Sequence, residues 1–111
     1  MKLYTSSFSN KGTNVRGISI ARGVPGWFIG LSYHPLNPTI SLLEEYKRNQ
    51  ISWEDYQYVY QRDVLRELDP WRVAYILGDE AILLCWETSG FCHRHLVADW
   101  MRNAGIDIEE L

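Results

Sequence analysis

Ten consecutive residues, Cys85-Trp86-Glu87-Thr88-Ser89-Gly90-Phe91-Cys92-His93-Arg94, set two thiols, a carboxylate, an imidazole and a guanidinium side by side. Glu87 and His93 are candidate catalytic proton carriers. A carboxylate can orient water or a sugar hydroxyl, and an imidazole titrates close to neutrality. Cys92 is a candidate catalytic thiol, because it stands where a helix should begin and the positive end of a helix lowers a nearby thiol pKa. Arg94, just inside that helix, offers a two-pronged grip on phosphate or carboxylate, which the first-turn N–H groups also favour. Plainer roles compete with each of these. Cys85 reads as a small buried hydrophobe and His93 as a hydrogen-bonded core residue on the face of Val97 and Trp100. Glu87 and Arg94 can simply pair to hold the loop.

Spacing narrows the chemistry further. A cysteine phosphatase needs one short fixed loop from nucleophile to arginine, and Cys85 and Arg94 are too far apart for it. Cys85, Glu87, Cys92 and His93 would make an unusual zinc set whose spacing matches no finger or ribbon pattern. No metal and no cofactor are therefore expected. The two cysteines are expected as free thiols, since cysteines in a reducing compartment seldom stay bridged.

The elements that must position these groups follow from periodicity. Ala81-Ile82-Leu83-Leu84-Cys85 is a continuous apolar run, as a central strand covered on both faces of a mostly parallel sheet requires. Extending its alternation puts Cys85 and Glu87 on one face and Trp86 on the other. From Cys92 to Ala104 the residues Leu96, Val97, Trp100, Met101 and Ala104 share a helical face, and Gly105 supplies the stop. Lys2 to Ser6 and Val15 to Ala21 read as two strands separated by a turn-rich stretch from Ser9 to Asn14, and Ile106 to Glu110 reads as an edge strand.

Ser41 and Ser52, each with an acid three residues on, predict the N-caps of two helices. The second carries Trp53, Tyr56, Tyr60, Val64 and Leu68 on its buried face, a stripe read as core and rim rather than as a ligand cage. Asp69-Pro70 opens a short helix that Gly78 ends. Arg22-Gly23-Val24-Pro25-Gly26-Trp27 breaks the second strand, and Trp27 to Pro38 reads as a loop around Tyr33, His34 and Pro35. The expected fold is a single α/β domain over residues 1–111, a compact three-layer arrangement with a small, mostly parallel sheet flanked by helices. Ligands of such sheets sit beyond the carboxyl ends of the strands. Arg22, in the cationic N-terminal segment, is a candidate anion binder, with Trp27, Tyr33 and Trp86 as faces on which a base can stack.

Charge sets the ligand class. The formal net charge is −3, yet the first acid is Glu44, and Lys2, Lys11, Arg16 and Arg22 all precede it. The fourteen acids that follow face only seven of the eleven basic residues, which suits a local anion pocket and disfavours nucleic acid. No apolar run approaches the roughly 18 residues of a membrane span, and the N-terminus does not read as a secretory leader. A cytoplasmic protein without membrane partners is expected.

The segments Leu83-Leu84-Cys85-Trp86-Glu87 and Cys92-His93-Arg94 resemble the hallmark of a bacterial and phage family called domain of unknown function 488. The likeness extends through Leu3-Tyr4-Thr5, Ile18-Ser19-Ile20, Arg22-Gly23, Pro25, Trp27-Phe28, Ile51-Ser52 and His95-Leu96-Val97-Ala98. That family often has an acid at the position of Ile20, so any role of the acid is missing here. The resemblance implies a compact α/β fold with Arg22, Glu87, Cys92, His93 and Arg94 around one pocket, and it supplies no reaction. A small phosphorylated or nucleotide-like ligand is the expected partner, the alternative being a non-catalytic protein that captures a nucleotide signal or a protein.

Overall fold

Five strands and four α-helices make up the described part of the chain: β1 (Lys2–Ser7), β2 (Gly17–Ser19), β3 (Leu31–Ser32), α1 (Ile40–Lys47), α2 (Trp53–Tyr60), α3 (Pro70–Leu77), β4 (Ile82–Cys85), α4 (His93–Asn103) and β5 (Asp107–Glu110). The computed structural model describes residues 1–10, 17–87 and 91–111. The expected turn from Lys11 to Asn14, the Val15-Arg16 start of the second strand and the loop residues Thr88, Ser89 and Gly90 lie outside the described residues.

The strands form one sheet in the order β3-β2-β4-β1-β5, and every pairing is parallel. The protein is thus an α/β fold, a parallel sheet flanked by helices. The apolar run is central as expected: β4 sits between β1 and β2, with Leu83, Leu84 and Cys85 fully buried. The predicted edge strand is β5, whose Ile108 faces the core while Asp107 and Glu109 hold Lys2 of β1. Charged side chains on an edge discourage pairing with another chain.

Leu3, Leu83 and Ile108 of the sheet pack with Val97 and Met101 of α4, with Tyr56 and Tyr60 of α2 and with Val73 of α3 in the main core. A smaller cluster gathers Phe8, Leu84, Cys85, Cys92 and Ala21, with Ile82 and Phe28 against it. Burial of these apolar surfaces is the main favourable term in the fold.

Helix boundaries follow local chemistry. Ser52 and Asp55 form the expected capping box of α2, and Asp69 caps α3 before Pro70. Gly78 (φ +90°) and Gly105 (φ +89°) end α3 and α4 in a backbone region that disfavours side chains. Three expectations are corrected. The cap of α1 is Thr39, whose Oγ1 accepts the Leu42 N–H at 3.1 Å, so Ser41 lies within the first turn. Thr39 follows Pro38 in extended backbone and so reaches the cap position first. The stretch read as a loop from Trp27 to Pro38 contains β3 and a short 3₁₀ turn at His34–Leu36. Two paired residues are too few for alternation to reveal. The apolar stripe of α2 also stops being α-helical at Tyr60: residues Gln61–Leu65 widen into a π turn that buries both Val64 and Leu65.

Candidate functional site

Strands β1 and β4 end in register at Ser7 and Cys85, and β2 ends beside them at Ser19. The chain leaving β2 and β4 lines a cavity of about 300 Å³ at these carboxyl ends. Ala21, Arg22 and Gly23 form one wall, and Cys85, Trp86 and Glu87 another. The start of α4 contributes Cys92 and His93, preceded by Phe91, while Tyr46 and Lys47 of α1 and Trp53 and Tyr56 of α2 close the remaining side.

Among residues nominated from the sequence, Arg22, Trp86, Glu87, Cys92 and His93 therefore share one cavity, whereas Arg94, Trp27 and Tyr33 do not line it. β4 stops at Cys85, so the alternation extended to Glu87 does not apply, and Trp86 and Glu87 reach the same cavity. The Trp86 indole N–H donates to the Gly23 carbonyl at 2.8 Å, pinning the two walls together. Arg22 is solvent-exposed, and its Nε donates to the Pro38 carbonyl at 2.8 Å. Trp27 instead packs edge-on against Phe8 and Phe28, and Tyr33 packs at the border of the main core.

Arg94 is 1 % exposed, so it cannot serve as an anion grip inside the cavity. Its guanidinium is consumed internally: Nε and Nη2 hold the Glu110 carboxylate, with Nη2 at 2.9 Å, and Nη1 donates to the Glu87 carbonyl at 2.6 Å. The anticipated Glu87–Arg94 side-chain pair is thus replaced by Arg94–Glu110, and only the backbone of Glu87 is engaged. Burial pushes the Glu110 carboxyl up, but hydrogen bonds from Arg94 and Thr5 outweigh it and leave the pKa lowered. Nη1 also approaches Cys85 Sγ at 3.1 Å. The helix thereby brings together Cys85 and Arg94, which are too far apart in sequence for a phosphatase loop.

His93 is both a core residue and a cavity residue. Its Nε2 lies 2.7 Å from the Ile20 carbonyl, which can only accept, so Nε2 carries the proton and Nδ1 a lone pair. Burial lowers its pKa to about 4, with the Arg94 charge adding to the effect against the opposing Ile20 bond. At neutral pH the ring is uncharged, and Nδ1 stands 3.8 Å from Cys92 Sγ.

The expectation of free thiols is overturned, since Cys85 and Cys92 are joined as a disulfide. The end of the strand and the N-cap of α4 approach closely enough for the sulfurs to meet, which a linear spacing does not disclose. The ligand atoms of Cys85, Cys92 and His93 lie within 4.8 Å of one another, but Glu87 is not in that group. Bridged sulfurs lack the thiolate charge that binds zinc.

The aromatic wall was not singled out from sequence as a site. Trp53 stacks on Phe91 at 4.9 Å and on Tyr56 at 5.0 Å, both nearly coplanar, and Tyr56 stacks on Tyr60, which meets the His93 ring at 5.5 Å. Burial first, and the Glu87 charge second, raise the Tyr56 pKa, so its phenol stays protonated and able to donate. The i, i+3 spacing of Trp53 and Tyr56 was a visible signal, but the same spacing marks ordinary core. Among the described residues no helix is long and apolar enough to cross a membrane. Compared with known proteins, the chain matches no family model, no curated protein and no solved structure.

Proposed function

We propose that the cavity binds a small anionic ligand bearing a flat ring, of the phosphorylated nucleotide or nucleobase class. The observation that carries this reading is the pairing, within one cavity, of a stacked aromatic wall (Trp53, Tyr56, Phe91) with two exposed cations, Arg22 and Lys47. A π face accepts any base, and a guanidinium fits phosphate oxygens two at a time. Phe91 is 59 % exposed and Trp86 50 %, areas that a bound ring would cover. Glu87 then accepts from a sugar hydroxyl or a base N–H, and the Nδ1 lone pair of His93 supplies a neutral acceptor deeper in. The resemblance to domain of unknown function 488 and a cytoplasmic location belong to this same reading.

Isothermal titration against a panel of nucleoside mono-, di- and triphosphates tests it. Binding is expected for at least one nucleotide, weakened roughly tenfold or more in an Arg22→Ala, Lys47→Ala double variant, since loss of a charge-assisted contact is worth about 1.5–3 kcal/mol. Undiminished affinity in that variant would overturn the assignment. Glu87→Gln then separates catalysis from capture: an enzyme loses turnover and keeps affinity, whereas a capture protein has no turnover to lose.

A further inference from the structure

Ligand binding leaves the paired cysteines unused, yet each sulfur has its own polar neighbour, His93 on the cavity wall and Arg94 buried outside its lining. Arg94 Nη1 points at Cys85 Sγ from 3.1 Å, and His93 Nδ1 faces Cys92 Sγ at 3.8 Å. A bridge serving only as a staple needs neither. A permanent cation beside a sulfur stabilises its thiolate, and a low-pKa thiol leaves faster in disulfide exchange. His93 cannot turn Nδ1 away, because Nε2 is committed to the Ile20 carbonyl at 2.7 Å. Both cysteines are buried and line the cavity, Cys85 at the end of a central strand and Cys92 at the start of the helix that borders it.

We propose that Cys85 and Cys92 are a thiol–disulfide exchange centre opening into the cavity, passing two electrons between the protein and a low-molecular-weight thiol of the glutathione class. The thiolate RS⁻ attacks Cys92 Sγ, forming the RS–S bond of a mixed disulfide. The Cys85–Cys92 bond breaks, and its electron pair leaves on Cys85 Sγ as a thiolate facing Arg94. A second RS⁻ attacks the external sulfur of the mixed disulfide, releasing RSSR and leaving Cys92 as a thiolate. That thiolate takes a proton through the cavity, and its S–H then donates to His93 Nδ1. Two external thiols are oxidised to one disulfide, the protein bridge is reduced by two electrons, and the protons of the two RSH pass to the cysteines or to solvent. Run backwards, the sequence regenerates the bridge.

The test equilibrates the full chain in mixtures of reduced and oxidised glutathione, quenches with an alkylating agent and reads both cysteines by peptide mass spectrometry. The expected result is joint, reversible conversion of Cys85 and Cys92 between bridged and alkylated forms. Cys85→Ser should trap glutathione on Cys92 roughly tenfold more than Cys92→Ser traps it on Cys85, because Cys85, beside the Arg94 guanidinium, is the better leaving group. A bridge untouched by excess reduced glutathione in the unaltered protein, or cysteines that react independently and equally, would overturn the proposal. So would stoichiometric zinc held by the reduced protein that blocks exchange, an outcome that makes Cys85, Cys92 and His93 metal ligands.

Discussion

His93 illustrates how one residue satisfies both a core role and a site role. Its buried ring is satisfied at Nε2 by Ile20 and lies tilted against the Tyr60 ring, while Nδ1 stays unprotonated toward Cys92. Sequence placed it correctly at the helix start but left both readings open, because only the position of the Ile20 carbonyl decides which nitrogen is free. Its folded pKa of about 4 lies below the ordinary value of 6.5, so the unfolded chain takes up a proton first as pH falls. This contribution leaves stability untouched above pH 6.5, removes it progressively as pH falls toward 4, and adds no further loss below that. The full effect is about 3 kcal/mol by the linkage of proton uptake to unfolding. Denaturant unfolding measured across this window should give a steeper pH slope for the unaltered protein than for His93→Gln, and parallel slopes would contradict a buried neutral ring.

At the level of elements, Arg94 is the tie between α4 and three strands. It reaches Glu110 at the end of β5 and Cys85 at the end of β4, and Thr5 of β1 donates to the same carboxylate. A buried guanidinium without its counter-charge is costly, which explains why a residue expected to bind an external anion instead holds an internal one. Glu110→Gln should lower unfolding free energy by about 2 kcal/mol, toward the small end for a buried pair because the carboxylate is still 36 % exposed. Chemical denaturation checks this, and an unchanged midpoint would make the tie ornamental. The sequence could indicate the apolar strand and the helix after it, since each has its own period. It could not indicate Glu110 as the partner, because an exposed-looking acid in the tail Asp107-Ile108-Glu109-Glu110 has the same local signature as its neighbours. The two-residue β3 and the π turn after α2 were equally hidden, both being set by tertiary packing rather than by pattern.

For the whole molecule, parallel topology decides where the chemistry collects. All five strands run the same way, so their carboxyl ends share one rim, and the cavity forms where β2 and β4 give way to loop and helix. The cationic N-terminal segment contributes less than its charge suggested. Lys2 is engaged with Asp107 and Glu109, and Lys11 and Arg16 lie outside the described residues, leaving Arg22 at the cavity. The second cation, Lys47, comes from α1 beyond the first acids, and the aromatic wall joins Trp53 and Tyr56 of α2 to Phe91, so more than half of the lining is built by segments remote in sequence from Cys85 to Arg94. The most direct test of this account is a ¹⁵N-labelled nuclear magnetic resonance titration with the best-binding nucleotide of the panel. The account predicts amide shifts concentrated at Ala21 to Gly23, Lys47, Trp53, Tyr56, Trp86, Glu87 and Phe91 to His93. Shifts confined to the separate groove lined by Gln57, Arg66, Trp100 and Asn103, or no shift with any nucleotide, would contradict it.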